Sequence, residues 1–432
     1  MNDRKSAAGQ DQPDALRRSS INATRYWAAL MELGAITDSQ HPWTRRSFSP
    51  LFVQGRKWLR ERFDQIGLTT HVDPAGNLIG RLEGVDPLAG CIMLGSHSDS
   101  VPGGGRFDGI AGVIAGLEVV ASLQDANKKL RHRIEVIDFL AEEPSEYGVS
   151  CIGSRGISGF LDPTQLNRTN AAGERLHQAM RRMGAEPDQL VSAVRRDVKA
   201  FYELHIEQGA VLESAALDLG IVRGIVGINR IVVGFKGQAA HAGTTPMALR
   251  RDALVAAAAL IGEVNRMALD LSNGDAYFVA TGGQINVLPN ATNVVPGEAA
   301  VVFDIRSSEQ TLLDRFVHDL QAGAQAIAGA HRVELSSFER LSSTAPTVCD
   351  ASLMAHLRQS AVSLNHRVME MTSGAGHDCA FMTHIAPSAM VFVPSREGKS
   401  HCPEEWTEPA QLAAGVATLY EAVCAFDAAS LN

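Results

Sequence analysis

The chain has 432 residues, 45% of them hydrophobic and 20% charged, and a formal net charge of −9. That length exceeds one ordinary domain, and that composition belongs to folded globular chains rather than disordered ones. An acidic balance without a basic patch excludes a nucleic-acid partner held by charge and leaves small molecules as the expected ligands.

The first residues, MNDRKSAAGQDQPDALRRSS, are polar and lack the apolar core of a signal peptide. No uninterrupted apolar run of about 18 residues follows, so a cytoplasmic protein without a membrane partner is expected. Residues 1–22 read as a frayed leader, and a helical pattern then runs through Trp27, Leu30 and Leu33. Cys91 to Leu94 is a short apolar run that predicts a buried strand leading into the polar tip GSHSDS. Next, Ile110, Val113, Ile114 and Leu117 recur at helical spacing and predict one apolar helix face. A second β-rich run, Ile134 to Leu140, ends in the carboxylates Glu142 and Glu143. Strand, loop, helix and strand in this order predict an α/β fold with a mostly parallel sheet, whose polar sites collect beyond the carboxyl ends of the strands.

The middle of the chain reads differently. RIVVGFKG alternates, sending Ile231, Val233 and Phe235 one way and Arg230, Val232 and Lys236 the other. AAVVFDIRSS alternates again, with Val301, Phe303 and Ile305 opposite Asp304 and Arg306, and a helix from about Pro246 to Met267 is expected between the two. The predicted division is therefore 1–217 for the first domain, 218–330 for an inserted α+β domain, and 331–432 for a return to the first. The six cysteines form no CxxC pair and are expected to be reduced, most of them in the core.

Five segments end in side chains able to bind a metal: His97 with Asp99, Asp108, Glu142 with Glu143, His205 with Glu207, and His401. Nitrogen and oxygen donors without thiolates suit zinc, manganese, cobalt or nickel, and an aspartate that bridges invites a second ion. Asp99, two residues from His97 on extended chain, could orient the imidazole or be a plain surface carboxylate. Asp108 before a glycine and a helix could be an N-cap. Glu142 and Glu143 could compensate a helix dipole, although adjacent carboxylates at the end of a buried strand repel and ask for a cation.

The motifs GSHSDSVPGGGRFDGIAGV, DFLAEEPSEYGVSCIGSRGISG, ELHIEQG, FKGQAAHAGTTPM, INVLPNATNVVPG, DIR, SGAGHD and SHCPEEWT follow one another along nearly the whole chain. In that order they resemble the hydantoinase/carbamoylase branch of the metal-dependent aminoacylase and carboxypeptidase superfamily. The resemblance implies a zinc-exopeptidase-like catalytic domain, its mixed, mostly parallel sheet flanked by helices on both faces, and an inserted α+β dimerisation or lid domain. It implies two divalent ions per chain, with Asp108 as the bridge, His97 and His205 completing one site and Glu143 and His401 the other. Glu142 becomes the general base, and His241 the oxyanion donor, expected to come from the partner subunit of a homodimer. Arg306, on its alternating strand, has a fork that suits a substrate carboxylate, though an exposed salt-bridging arginine would read the same; the resemblance adds Gln208, Asn293, Gly376 and His377 as substrate contacts. Two positions depart from the family pattern: Ala240 replaces an aspartate and Cys379 an alanine.

The implied reaction is hydrolysis of the carbamoyl or ureido amide of a small carboxylate-bearing substrate, releasing ammonia and carbon dioxide. A dipeptidase or N-acyl-amino-acid deacylase on the same scaffold is the alternative, with a non-catalytic binding protein more remote. His205, where peptidase relatives carry a carboxylate, speaks against the dipeptidase.

Overall fold

The computed structural model describes residues 21–429. Residues 1–20 of the expected leader therefore lie outside the described residues, and its last two are fixed rather than frayed. Ile21 is buried, and the Asn22 side chain caps helix Ala23–Gly34 by accepting the Arg25 N–H at 3.0 Å. Such a cap satisfies a helical N–H that has no partner inside the helix.

Among the described residues the larger sheet has nine strands. Its four central strands, Arg133–Phe139, Cys91–His97, Val198–Ile206 and Ser388–Val393 in spatial order, run parallel. Leu78–Leu82 and then Thr69–Val72 extend one side antiparallel. On the other side Leu219–Ile225 pairs antiparallel with Ser388–Val393, and both Thr347–Val348 and Val368–Ser373 pair with it.

The apolar stripe through Ile110, Val113, Ile114 and Leu117 suggests one buried face, yet helix Ile110–Asp125 is buried all the way from Ile110 to Leu123. It packs on strand Cys91–His97 and also against helices Ala23–Gly34 and Pro409–Ala429, so its far side is covered as well. Pro409–Ala429 is long and apolar enough, by length and composition, to cross a membrane. It is a core helix here: Leu412, Val416, Leu419 and Val423 are buried in the main hydrophobic cluster.

The smaller sheet is antiparallel, in the order Glu334–Thr344, Gly227–Lys236, Glu298–Ser307, Phe278–Leu288. The alternation read from sequence holds. Ile231, Val233, Phe235, Val301, Phe303 and Ile305 are buried against Leu260 and Val264 of helix Ala253–Ser272 and Leu313, Phe316 and Leu320 of helix Gln310–His331. Full burial of each such side chain stabilises by about 1.5–3 kcal/mol.

Two boundaries differ from expectation. Strand Leu219–Ile225 belongs to the larger sheet and strand Glu334–Thr344 to the smaller, so the chain changes sheets near 226 and 345 rather than at 218 and 330. Apolar positions recur from Ile221 through Ile225 and Val226 to Ile228 with isolated glycines between them and no proline or paired turn residues, which hides the first crossing. The helix expected from Pro246 begins instead at Ala253, because the Asp252 side chain accepts the Leu254 and Val255 N–H groups; Pro246 precedes a single 3₁₀ turn, Met247–Leu249.

Candidate metal centre

All four central parallel strands deliver residues to one pocket at their carboxyl ends. His97 closes its strand with a side chain 2% exposed. Its Nδ1 donates to the Asp99 backbone carbonyl at 3.0 Å, which leaves the Nε2 lone pair facing Asp108 Oδ1 at 3.6 Å and Glu142 Oε2 at 3.7 Å. His205 repeats this arrangement. Its Nδ1 donates to the Ile206 carbonyl at 2.9 Å, and its Nε2 lies 3.2 Å from Asp108 Oδ1. His401 arrives from the loop after the fourth strand and sets its Nε2 3.1 Å from Asp108 Oδ2 and 3.4 Å from Glu143 Oε1.

Asp108 is thus no N-cap. Helix Ile110–Asp125 has Gly109 at that position, with no side-chain cap. A Cβ on Gly109 would stand 2.4 Å from the His97 ring, and its φ of +68° is left-handed, so a glycine is required for two reasons. Glu142 and Glu143 do not begin a helix, since the next one starts at Ile152. The chain turns at Ala141, whose φ is +53°, and the two following N–H groups donate to the two Asp99 carboxylate oxygens at 3.1 Å each. Asp99 therefore holds the Glu142–Glu143 backbone, and its carboxylate reaches His97 Nδ1 only at 3.5 Å. Left-handed residues other than glycine recur around the pocket at Cys151, Gln208 and His401, the kind of local strain that collects at functional sites.

The donors form two groups that share Asp108: His97, Asp108 and His205, and Asp108, Glu143 and His401, each set with ligand atoms within 4.8 Å of one another. The charge balance asks for cations. Burial, with the Asp99 and Asp108 carboxylates, pushes Glu142 up to about 7. Burial, with the Asp108 and Glu142 carboxylates, likewise raises Glu143 well above the usual range. Glu143 Oε1 is buried and, among the described residues, has no hydrogen-bond partner, with His401 Nε2 3.4 Å away. A buried acceptor of that kind is costly unless an ion or proton meets it, and the nitrogen and oxygen donor set suits divalent transition metals.

Other expected site residues fall into three places. Glu207 turns away, accepting the N–H groups of Val211 and Leu212. Gln208 lies in the pocket, donating to Asp108 Oδ2 at 3.0 Å and to Ser400 Oγ at 3.2 Å. His377 is buried edge-on to the His205 ring at 4.5 Å, bonded to Ser373 Oγ at 2.8 Å, with exposed Gly376 before it. Burial and the neighbouring His205 charge hold His377 well below its usual value, so it is neutral. Arg306 of the smaller sheet reaches this loop, donating to the Gly374 carbonyl at 2.9 Å while Asp304 takes its Nε at 2.6 Å. His241 and Asn293 sit together on a two-stranded ribbon of the smaller domain, where His241 pairs with Val294. Both are exposed, and among the described residues no hydrogen bond or ion pair joins His241 to the pocket.

The family model for peptidase family M20/M25/M40 matches residues 93–425. The chain belongs to that family. This metal-dependent family's hydantoinase/carbamoylase branch supplies its relatives. The N-carbamoyl-L-amino acid amidohydrolase of Geobacillus stearothermophilus is 38% identical over 93% of this chain and 98% of that one. The allantoate amidohydrolase of Bacillus subtilis is 34% identical over 92% of this chain and 95% of its own. A hydantoinase/carbamoylase family amidase from Burkholderia multivorans superposes with a TM-score of 0.86 at 33% identity, covering 94% of this chain and 98% of that one.

In this M20/M25/M40 member the sequence reading passed over three buried groups. Glu203 accepts from Ser96 Oγ at 2.6 Å and from the Cys379 N–H at 3.0 Å; it stands two residues before His205 on an extended strand, a spacing that puts both on one face. Cys379, the departure from the family alanine, is fully buried behind this carboxylate. Cys151 directs its S–H at Glu142 Oε1, 3.3 Å away. Glu405, inside SHCPEEWT, accepts the N–H groups of Phe107 and Asp108.

Proposed function

We propose that this chain is a two-ion amidohydrolase cleaving the carbamoyl or ureido amide of a small carboxylate-bearing substrate, with release of ammonia and carbon dioxide. The observation that carries this reading is the pair of donor groups sharing Asp108, with Glu142 Oε2 3.7 Å from His97 Nε2 and, among the described residues, no backbone N–H bound to the Glu142 carboxylate. His97, Asp108 and His205 would hold one divalent ion, and Asp108, Glu143 and His401 the other; zinc, manganese, cobalt and nickel all suit these donors. Such ions supply acidification of water and polarisation of the scissile carbonyl.

The chain's own groups do the rest. Glu142 takes the proton of the attacking water and hands it to the leaving nitrogen, a transfer its buried position favours because no bulk water competes. Asp99 keeps that carboxylate in place through the backbone, and the Cys151 S–H steadies its other oxygen. The carbamate product then falls apart to ammonia and carbon dioxide.

His241 is suited to donate to the oxyanion. Its Nδ1 accepts the N–H groups of Gly243 and Thr244 at 3.0 and 3.2 Å, so the ring proton sits on the exposed Nε2. In our reading that N–H enters the neighbouring subunit's pocket in a two-fold homodimer. The smaller sheet offers an edge for such pairing in strand Phe278–Leu288, where Val279, Ile285 and Leu288 are exposed. Arg306 and Asn293 would meet the substrate carboxylate, beside Gln208, His377 and the backbone at Gly376. Six free cysteines, five of them buried, agree with a reducing cytoplasm.

The test is a substrate panel. Ammonia release from N-carbamoyl-L-amino acids, N-carbamoyl-β-alanine or allantoate, with no amine release from N-acetyl amino acids or dipeptides, is expected. Amine release from the acyl or peptide substrates alone would overturn the assignment.

A further inference from the structure

We propose that Glu405 is a positioning residue of the metal centre, a clamp that fixes Asp108 and His401 relative to one another. The inference rests on the two-ion reading above. Glu405 is 1% exposed, and of the proposed ligands it meets Asp108, at the backbone N–H. Its Oε1 accepts the backbone N–H of Phe107 at 2.8 Å and of Asp108 at 3.2 Å, and its Oε2 accepts the Ser400 hydroxyl at 2.9 Å. One carboxylate thereby joins the segment that carries the shared aspartate to the segment that carries His401.

The tie closes into a ring. Ser400 Oγ takes a bond from Gln208 Nε2 at 3.2 Å, and the same Nε2 lies 3.0 Å from Asp108 Oδ2. Asp108 is thus held at its backbone by Glu405 and at its side chain by Gln208, both anchored on the residue before His401. Space is kept for the clamp at Gly105, where a Cβ would fall 1.9 Å from the Glu405 carboxyl carbon. The adjoining Trp406 packs edge-on against Phe107, with ring centroids 5.7 Å apart, fastening the same two segments by apolar contact.

His401 depends on such ties more than its fellow ligands. Its side chain is 48% exposed, against 2% for His97 and 1% for His205, and its φ of +54° is one that packing must enforce. A buried carboxylate next to Asp108 costs desolvation and like-charge repulsion. An apolar side chain there would avoid that cost, but would leave two buried N–H groups without acceptors and the two segments unjoined.

The experiment titrates chelator-stripped full-length protein with zinc or cobalt(II) ions by calorimetry, together with unfolding of the stripped protein. Wild type should bind two ions per chain. Glu405→Ala and Glu405→Asp, the latter too short to reach both segments, should weaken at least one ion about 10- to 100-fold, as loss of a ligand-orienting partner does. Glu405→Gln should keep most of the affinity, since its amide oxygen can accept both N–H groups and its amide N–H can donate to Ser400 Oγ. Unchanged ion affinity in the Asp variant, whatever its unfolding temperature, would overturn the clamp; so would a Gln variant as weak as Ala, because charge and not position would then be the cause. If wild type itself binds fewer than two ions, the two-ion reading fails instead. The Asp and Gln variants decide the matter even where Ala does not fold.

Discussion

The strand-end pocket and the ribbon of the smaller domain both present histidines, and the two kinds differ in what surrounds them. His97 and His205 are almost inaccessible, each with Nδ1 committed to a backbone carbonyl and Nε2 turned on Asp108. His241 also has its Nδ1 committed, but to N–H donors of its own turn, and the rest of its ring is exposed. The first arrangement offers lone pairs to a cation; the second offers a proton to an anion. The pocket also gathers the buried carboxylates Asp99, Asp108, Glu142 and Glu143, whereas the ribbon carries its histidine at the surface. A buried charge cluster can be read from one chain, then, and an exposed donor only together with what it meets.

The sharpest way to break this comparison is at the shared ligand. Asp108→Ala should strip both ions and lower kcat/KM at least about 1000-fold, since every function of the ions goes together. Metal analysis of the purified variant checks it, and retention of two ions per chain would remove Asp108 from the centre. Glu142→Gln should keep the metal and the fold while kcat falls about 100- to 10000-fold, the range for losing a positioned acid–base group. Near-normal turnover would end that role.

How much of this was legible in the sequence follows from the same contrast. Apolar runs ending in His97 and in Glu142–Glu143 announce buried strands with polar ends, and alternation in the segments holding Ile231 and Val301 announces a half-covered sheet; both outcomes follow from local periodicity. Contacts between distant segments leave no such trace. Glu405 meets Phe107, and Cys151 meets Glu142, only because the loops after separate strands converge, and nothing in SHCPEEWT or GVSCIG states which backbone they face. The pair Asp304 and Arg306 shows the limit of pattern. Alternation puts both on the less buried face, but the ion pair between them, and the reach of Arg306 to Gly374, depend on side-chain directions and on a second domain.

The ribbon is tested next. His241→Ala should leave ion content and unfolding temperature unchanged while kcat falls about 100- to 1000-fold, the cost of one oxyanion donor. Mixing it with Glu142→Ala under conditions that exchange subunits tells where the histidine acts. Random equimolar exchange makes half the dimers mixed, each with one intact site, so roughly a quarter of wild-type activity should return. No recovery despite demonstrated exchange would confine His241 to its own chain or to no catalytic role.

The smallest effect is expected where pocket and smaller domain meet. Arg306 already spends its Nε and an Nη2 hydrogen on Asp304 and an Nη1 hydrogen on the Gly374 carbonyl, which leaves one hydrogen on each Nη to meet a carboxylate. A lysine could keep the charge but not the planar fork, nor hold Asp304 and Gly374 at once. Arg306→Lys should therefore raise KM for carboxylate-bearing substrates about tenfold, near the value of one good charge-assisted bond, and leave kcat almost unchanged. Comparing each carboxylate substrate with its amide separates binding from support. If Arg306 meets the carboxylate, the variant loses the preference for acid over amide. If it serves only to hold the Gly374 loop, both substrates suffer equally, and the substrate carboxylate must be sought on another cation.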